Sequence, residues 1–277
     1  MGLLKQVWHN LSQTPILDRI FYVPFWDCPY LCDFCCVDAR PGKPPTYPDK
    51  GEPALFALGQ KMYQETGKHL QVHVYGGEPL LRPEYLKEFI SRLMNEKFFK
   101  KLFLYTTLRP PGIEEILALI PEDKIKIIVN PSTINDAARA RMHKFSRVTE
   151  TYKNIVFFPT GRARLGSTSY KKSLVERILP IGLPGKSCFA SISGPLVNGI
   201  QETVHLCCLP QSPIVGSINE NIEILWNNYL MLIDSHYKEV NSRMRKDGLS
   251  FACSVCEIDS KWSSTKQLND GIAISIK

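Results

Sequence analysis

The chain has 277 residues, 44% hydrophobic and 22% charged, a composition suited to a globular enzyme of one domain plus an appendage. No stretch approaches the roughly 18 apolar residues that span a membrane, the start MGLLKQVWHNLSQ lacks an apolar core with a cleavage site, and Gln6 stands where N-myristoylation needs Ser or Thr; no membrane partner and a cytoplasmic location are expected. The net charge of +7 is moderate, and the basic knot of Arg139, Arg141, Lys144 and Arg147 reads as a solvated helix face without the stacking aromatics of a groove, so no nucleic-acid partner is expected.

In chain order, short β-branched and aromatic runs alternate with segments of helical period, which predicts repeated βα units on a parallel sheet. The strands are expected at Ile20 to Pro24, Leu70 to Tyr75, Lys101 to Thr106, Lys124 to Val129 and Asn154 to Phe158. Connecting helices are expected near Pro53 to Thr66, Pro83 to Lys97, Gly112 to Ile120 and Asn135 to Phe145. In the second helix Leu86, Phe89, Ile90, Leu93 and Met94 share one face, and Pro83 suits its first turn. Right-handed crossovers would curve such strands into a partial (β/α) barrel with its site at their C-terminal ends, an α/β fold of about five parallel strands and four helices. Regularity stops at the GRARLG run, which places a domain boundary near Gly166: 1–166 for the barrel and 167–277 for a smaller domain. There Cys188 to Cys208 reads as a β-hairpin around a Val197-Asn198-Gly199 turn, and a long helix follows from about Glu220 to Met244.

Nine cysteines are too many for chance in a reducing compartment, and metal ligation is the expected use. They fall in two groups. The first is Cys28, Cys32, Cys35 and Cys36; Cys28, Cys32 and Cys35 lie on the loop that follows the first strand. Three thiols on one 4Fe-4S cube leave one iron free for an exogenous chelator, whereas structural zinc prefers four protein ligands at paired CxxC spacings. The second group is Cys188, Cys207, Cys208, Cys253 and Cys256. Four of these, Cys188, Cys207, Cys253 and Cys256, could converge on a second metal centre, an auxiliary cluster or a zinc ion; Cys207 is preferred to Cys208 because adjacent strand residues face opposite ways.

The spacing of Cys28, Cys32 and Cys35, with Phe34 before the last, resembles the radical S-adenosylmethionine (SAM) superfamily, as does Gly76-Gly77-Glu78-Pro79 at the end of the second strand. The resemblance implies that the first cluster binds SAM, that Phe34 packs near its adenine, and that Gly76, Gly77 and Glu78 receive its methionine part. By similarity Thr106 and Asn130, ending the third and fourth strands, are expected at the ribose or carboxylate. The C-terminal cysteines, the Val215 to Ile218 stretch and Ile224-Leu225-Trp226 resemble the SPASM and twitch extensions of the superfamily. The lack of cysteines after Cys256 points to the twitch form, with a single auxiliary 4Fe-4S cluster. The layout is most similar to that of the 2-deoxy-scyllo-inosamine dehydrogenases.

The implied function is reductive cleavage of SAM to a 5'-deoxyadenosyl radical that oxidises a small polar metabolite, with the auxiliary cluster accepting the electron and a flavodoxin- or ferredoxin-type reductant supplying the first. Only about twenty residues precede the first strand, which favours a small molecule over the peptide of a maturase that crosslinks, epimerises or oxidises residues. A zinc-binding scaffold is the non-enzyme alternative. Arg162, after the fifth strand, is a candidate substrate contact at the barrel mouth, and a helix-capping or ion-pair role is the competing reading. His73, between Val72 and Val74, reads as a satisfied core histidine.

Overall fold

The structure is a computed structural model that describes residues 17–30, 35, 39, 50–129, 134–151, 194–210 and 212–247. Its first half alternates strand and helix: β1 Arg19–Val23, α1 Glu52–Thr66, β2 Leu70–Val74, α2 Pro83–Leu93, β3 Phe99–Tyr105, α3 Ile113–Leu117, β4 Ile125–Val129, α4 Asp136–Lys144 and β5 Thr149–Thr151. The five strands pair in parallel, in the order β5-β4-β3-β2-β1. This is the expected partial barrel of five strands and four helices. Its fifth strand comes earlier than expected: Thr149–Thr151 pairs with Ile127 to Val129 directly after α4, while the expected span 154–158 lies outside the described residues.

Strand alternation divides the sheet into two unlike faces. Ile20, Tyr22, Val72, Val74, Leu102, Leu104, Ile127 and Val129 point to the helices and form one core with Leu55, Leu58 and Met62 of α1 and with Leu86, Phe89, Ile90 and Leu93 of α2. The four α2 residues are fully buried, as their spacing predicts, whereas Met94 caps the helix end and is only partly buried. One polar cluster joins this layer. The Glu52 carboxylate accepts hydrogen bonds from Arg92 Nε (2.5 Å) and Nη2 (3.0 Å) and from Tyr85 (3.4 Å), whose hydroxyl meets that of Tyr22 at 2.9 Å. β1, α1 and α2 are thereby tied through a carboxylate that is buried but fully partnered.

β6 Leu196–Asn198, β7 Thr203–His205 and β8 Ile214–Ser217 extend this sheet, and α5 Ile222–Asp247 packs on β8 and α1. β6 pairs in parallel with β1, register Phe21 to Leu196 and Val23 to Asn198, so the expected hairpin continues the barrel sheet in the order β5-β4-β3-β2-β1-β6-β7-β8. The proposed boundary near Gly166 lies outside the described residues. The hairpin turn is later than the Asn-Gly pair suggests. Val197 and Asn198 are still strand, and the positive backbone angle falls on Glu202 (φ 54°), not on Asn198 or Gly199. Asn198 acts through its side chain instead: Oδ1 accepts from the Ile200 and Gln201 amides (3.2 Å each) and shapes the turn that Asn-Gly was expected to make with its backbone. No helix among the described residues is long and apolar enough to cross a membrane.

His205 sits at the centre of the hairpin layer, donating from Nδ1 to the Ser212 carbonyl (3.0 Å) and accepting at Nε2 from the Thr203 hydroxyl (2.8 Å). Burial pushes its pKa down to about 4, against the raising effect of the Ser212 bond. The unfolded chain takes up this proton near pH 6.5 and the folded one resists until about 4, so the unfolded state binds more protons in between. Stability is therefore expected to be full above pH 7 and to fall between pH 6.5 and 4, on the order of 3 kcal/mol from this residue. Urea midpoints measured between pH 7.5 and 4.5 check this; a midpoint that does not move with pH contradicts it.

Candidate functional site

The loop carrying the first cysteines leaves β1 as Pro24-Phe25-Trp26-Asp27-Cys28, alongside the loop that leaves β2 as Tyr75-Gly76-Gly77-Glu78. The two backbones are joined by the Gly77 amide to the Phe25 carbonyl (2.8 Å) and the Glu78 amide to the Asp27 carbonyl (3.1 Å). Both glycines are required by this approach. Gly76 has φ +126°, and a Cβ there would lie 2.8 Å from the Phe25 carbonyl oxygen; a Cβ on Gly77 would overlap the Asp27 carbonyl oxygen. An ion pair completes the seam, Arg82 Nη2 to Asp27 Oδ2 at 2.9 Å, with Arg82 contributed by the turn after Glu78. Cys28 follows Asp27 at once, so the first thiol is positioned by the glycine pair.

Glu78 extends the seam to the third strand. Its carboxylate, 1% exposed, accepts four hydrogen bonds: from the Leu80 amide (3.1 Å), the Thr106 hydroxyl (2.5 Å), the Thr107 amide (2.8 Å) and the Thr107 hydroxyl (2.6 Å). A carboxylate has about four lone-pair sites, so these donors saturate it. Thr106 is committed in the same way, its hydroxyl also accepting from the Leu108 amide (3.1 Å). Leu108 is left-handed (φ 56°), and Arg141 of α4 holds that bend by donating to the carbonyls of Leu108 (2.7 Å) and Arg109 (2.8 Å). Arg109 in turn lies 4.7 Å over the Tyr30 ring, within the cysteine loop. Burial, then the charge of Glu78, raises the Tyr30 hydroxyl above its ordinary range. The C-terminal ends of β1, β2 and β3 thus form one rim.

Cys28 and Cys35 are half-buried; the Cys28 thiol donates to the Tyr30 carbonyl at 3.7 Å, and Cys35 Sγ accepts the Ala39 amide at 3.3 Å. Backbone donors to sulfur are among the devices that tune cluster thiolates, so the chemistry of these thiols suits an iron–sulfur cluster, while no three metal-ligating side chains converge among the described residues. Cys32, Phe34, Asn130, Arg162, Cys188, Cys253 and Cys256 lie outside the described residues.

Cys207 and Cys208 follow the end of β7, where the chain has already bent out of the strand. Cys207 is buried in the helix-side core, and Cys208, only partly buried, packs also against the inner-face cluster of Phe21, Val23 and Leu196. The Cys207 thiol is held below its ordinary range, first by a hydrogen bond with the Cys208 side chain and against the effect of burial, with Ser212 and the Leu209 backbone assisting. The rim reaches this pair through Tyr75, the residue before Gly76, whose hydroxyl donates to the Cys208 carbonyl. The sequence pointed to Cys28, Gly76, Gly77, Glu78 and Thr106, which lie along one rim, and to Cys35, whose contact is with Ala39. It did not point to Asp27, Tyr75, Arg82, Thr107 or Arg141; the position of Asp27 and Tyr75 beside the motifs was the available signal.

No family profile and no curated protein matches the sequence. Among solved structures the chain is similar to BtrN in complex with AdoMet and 2-DOIA, with TM-score 0.53 and 15% identity over 80% of this chain and 87% of that one. Selenomethionyl BtrN in an open conformation aligns with TM-score 0.46 and 14% identity over 78% and 84%. The first likeness shows the fold: an α/β partial barrel.

Two substitutions separate the roles along the seam. Glu78→Gln puts an amide NH2 among donors and is expected to lower the stability of the metal-free protein by about 2 kcal/mol, read as a urea midpoint. Gly77→Ala forces the Cys28 loop outward and is expected to cut the iron retained after anaerobic reconstitution at least about twofold. Wild-type iron content in Gly77→Ala contradicts the positioning of Cys28 by this contact.

Proposed function

We propose that the chain is a radical SAM enzyme that oxidises a small polar metabolite. The observation that carries this reading is the stitching of the Cys28 loop to Gly76-Gly77, with backbones too close for any side chain between them. A cluster bound by Cys28, Cys32 and Cys35 would supply the electron that cleaves SAM to methionine and a 5'-deoxyadenosyl radical, the hydrogen-abstracting species.

The chain's own residues then position and shield. Gly76 and Gly77 keep the rim low enough for the methionine part to approach backbone rather than side chains. Glu78 and Thr106, spent on each other and on Thr107, hold that backbone in place, which moves their role from direct contact to support. Phe34, Asn130 and Arg162 are proposed for the adenine, the ribose or carboxylate, and the substrate. Cys188, Cys207, Cys253 and Cys256 are proposed to hold an auxiliary 4Fe-4S cluster that takes the substrate's electron, and Tyr75 supports this by tying the rim to the Cys207-Cys208 turn. BtrN, crystallised with AdoMet and 2-DOIA, makes a small polar substrate the favoured class.

Protein reconstituted without oxygen and given dithionite and SAM is expected to release 5'-deoxyadenosine, and Cys28→Ala or Cys35→Ala to abolish it. About eight iron per chain are expected, falling by about half in Cys207→Ala. A colourless zinc protein that releases no nucleoside overturns the proposal; a peptide product in place of an oxidised metabolite assigns the chain to the maturases instead.

A further inference from the structure

The inner face of the sheet carries a buried polar atom that has no partner among the described residues. His73 of β2 lies in register with Phe21 of β1 and Phe103 of β3, and its ring is held between theirs at centroid distances of 4.6 and 4.5 Å, within 5° of parallel to Phe103. Tyr75 and Tyr105 stand one position nearer the rim on the same face, and the Tyr105 hydroxyl meets His73 Nδ1 at 3.0 Å. Nε2, at the far end of the ring from the backbone, is buried and has no hydrogen-bond partner among the described residues, although the residue is only 5% exposed. The expected satisfied core histidine is therefore satisfied on one side only.

A phenyl ring would continue the Phe21–Phe103 stack without leaving a nitrogen unpaired, and an unpaired buried nitrogen is disfavoured. A ligand that binds Nε2 removes that conflict. Burial, followed by the charge of Arg19, holds the imidazole down to about 3, so the ring is neutral at any physiological pH. A neutral ring whose Nδ1 faces a hydroxyl can present either N–H or a lone pair at Nε2. Its best partner is a group that also gives or takes, an uncharged hydroxyl, on a molecule whose C–H faces can lie against aromatic walls.

We propose that His73 Nε2 is a substrate contact, hydrogen-bonding a hydroxyl of an uncharged polyol seated on the aromatic row of Phe21, Phe103 and Tyr105. Tyr105 is the positioning residue, since its bond to Nδ1 holds the ring in its orientation. The proposal deepens the oxidation proposed above and rests on it, naming the substrate class that the barrel interior accepts.

Two readouts test it on the reconstituted full-length protein, with myo-inositol, sorbitol and glucose as probes and phosphate and acetate as controls. In protein labelled with 15N-histidine, one resonance, assigned by its loss in His73→Phe, is expected to shift saturably with at least one polyol and with neither anion. With carbon-deuterated polyols, dithionite and SAM, label is expected in 5'-deoxyadenosine. The deuterated fraction of that nucleoside is expected to fall at least about tenfold in His73→Phe and to recover in His73→Gln, whose amide reaches the place of Nε2. A resonance that no polyol moves, or that an anion moves, overturns the proposal, as does a deuterated fraction unchanged in His73→Phe. Nucleoside release without label from any polyol overturns the substrate class and leaves the SAM chemistry standing; a polyol-dependent shift without nucleoside release does the reverse.

Discussion

Two backbones pressed together at the C-terminal edge of the sheet, Gly76 to Glu78 against Phe25 to Asp27, set the position of everything around them. The contact leaves no room for a side chain on Gly77, and it uses the amides of Gly77 and Glu78 to hold the loop that ends in Cys28. Once that loop is placed, the Glu78 carboxylate is forced inward, where an ionised group is tolerated only when its lone pairs are filled. Leu80, Thr106 and Thr107 fill them, and by doing so they fasten the end of β3 to the ends of β1 and β2. A rim of three strand ends is the mechanical result.

The two faces of the sheet divide stability from recognition. On the helix side the aliphatic rows and Phe89, with Tyr22, Tyr85 and Glu52 as a buried polar knot, form a continuous packed core. On the inner side aromatic rings dominate, and among the described residues His73 Nε2 has no hydrogen-bond partner. Because β6 pairs with β1, the sheet brings the Cys208 carbonyl within reach of the Tyr75 hydroxyl, while Cys207 is buried in the helix-side core.

Much of this was legible in the sequence because it is periodic or local. The 3.6-residue repeat of Leu86, Phe89, Ile90 and Leu93 identifies both α2 and the face it buries, and the β-branched runs place four strands to within two residues at most ends. The Gly-Gly pair marks a close approach, although what approaches is the chain's own Asp27 carbonyl. A misplacement arises where a side chain does what backbone propensity was expected to do: Asn198 shapes its turn through Oδ1. The Arg82–Asp27 pair and the Arg141 bonds to Leu108 and Arg109 join positions 55 and 33 or 32 residues apart, and no local pattern announces them.

The three-cysteine cluster with one open iron is the claim on which the functional reading stands. Its most direct test is the electron paramagnetic resonance spectrum of the dithionite-reduced protein, reconstituted with the second cysteine group replaced so that a single cluster remains, recorded with and without SAM. A shift of the g-values on adding SAM, absent with buffer alone and lost in Cys35→Ala, is the expected result. A cluster spectrum that SAM leaves unchanged contradicts it.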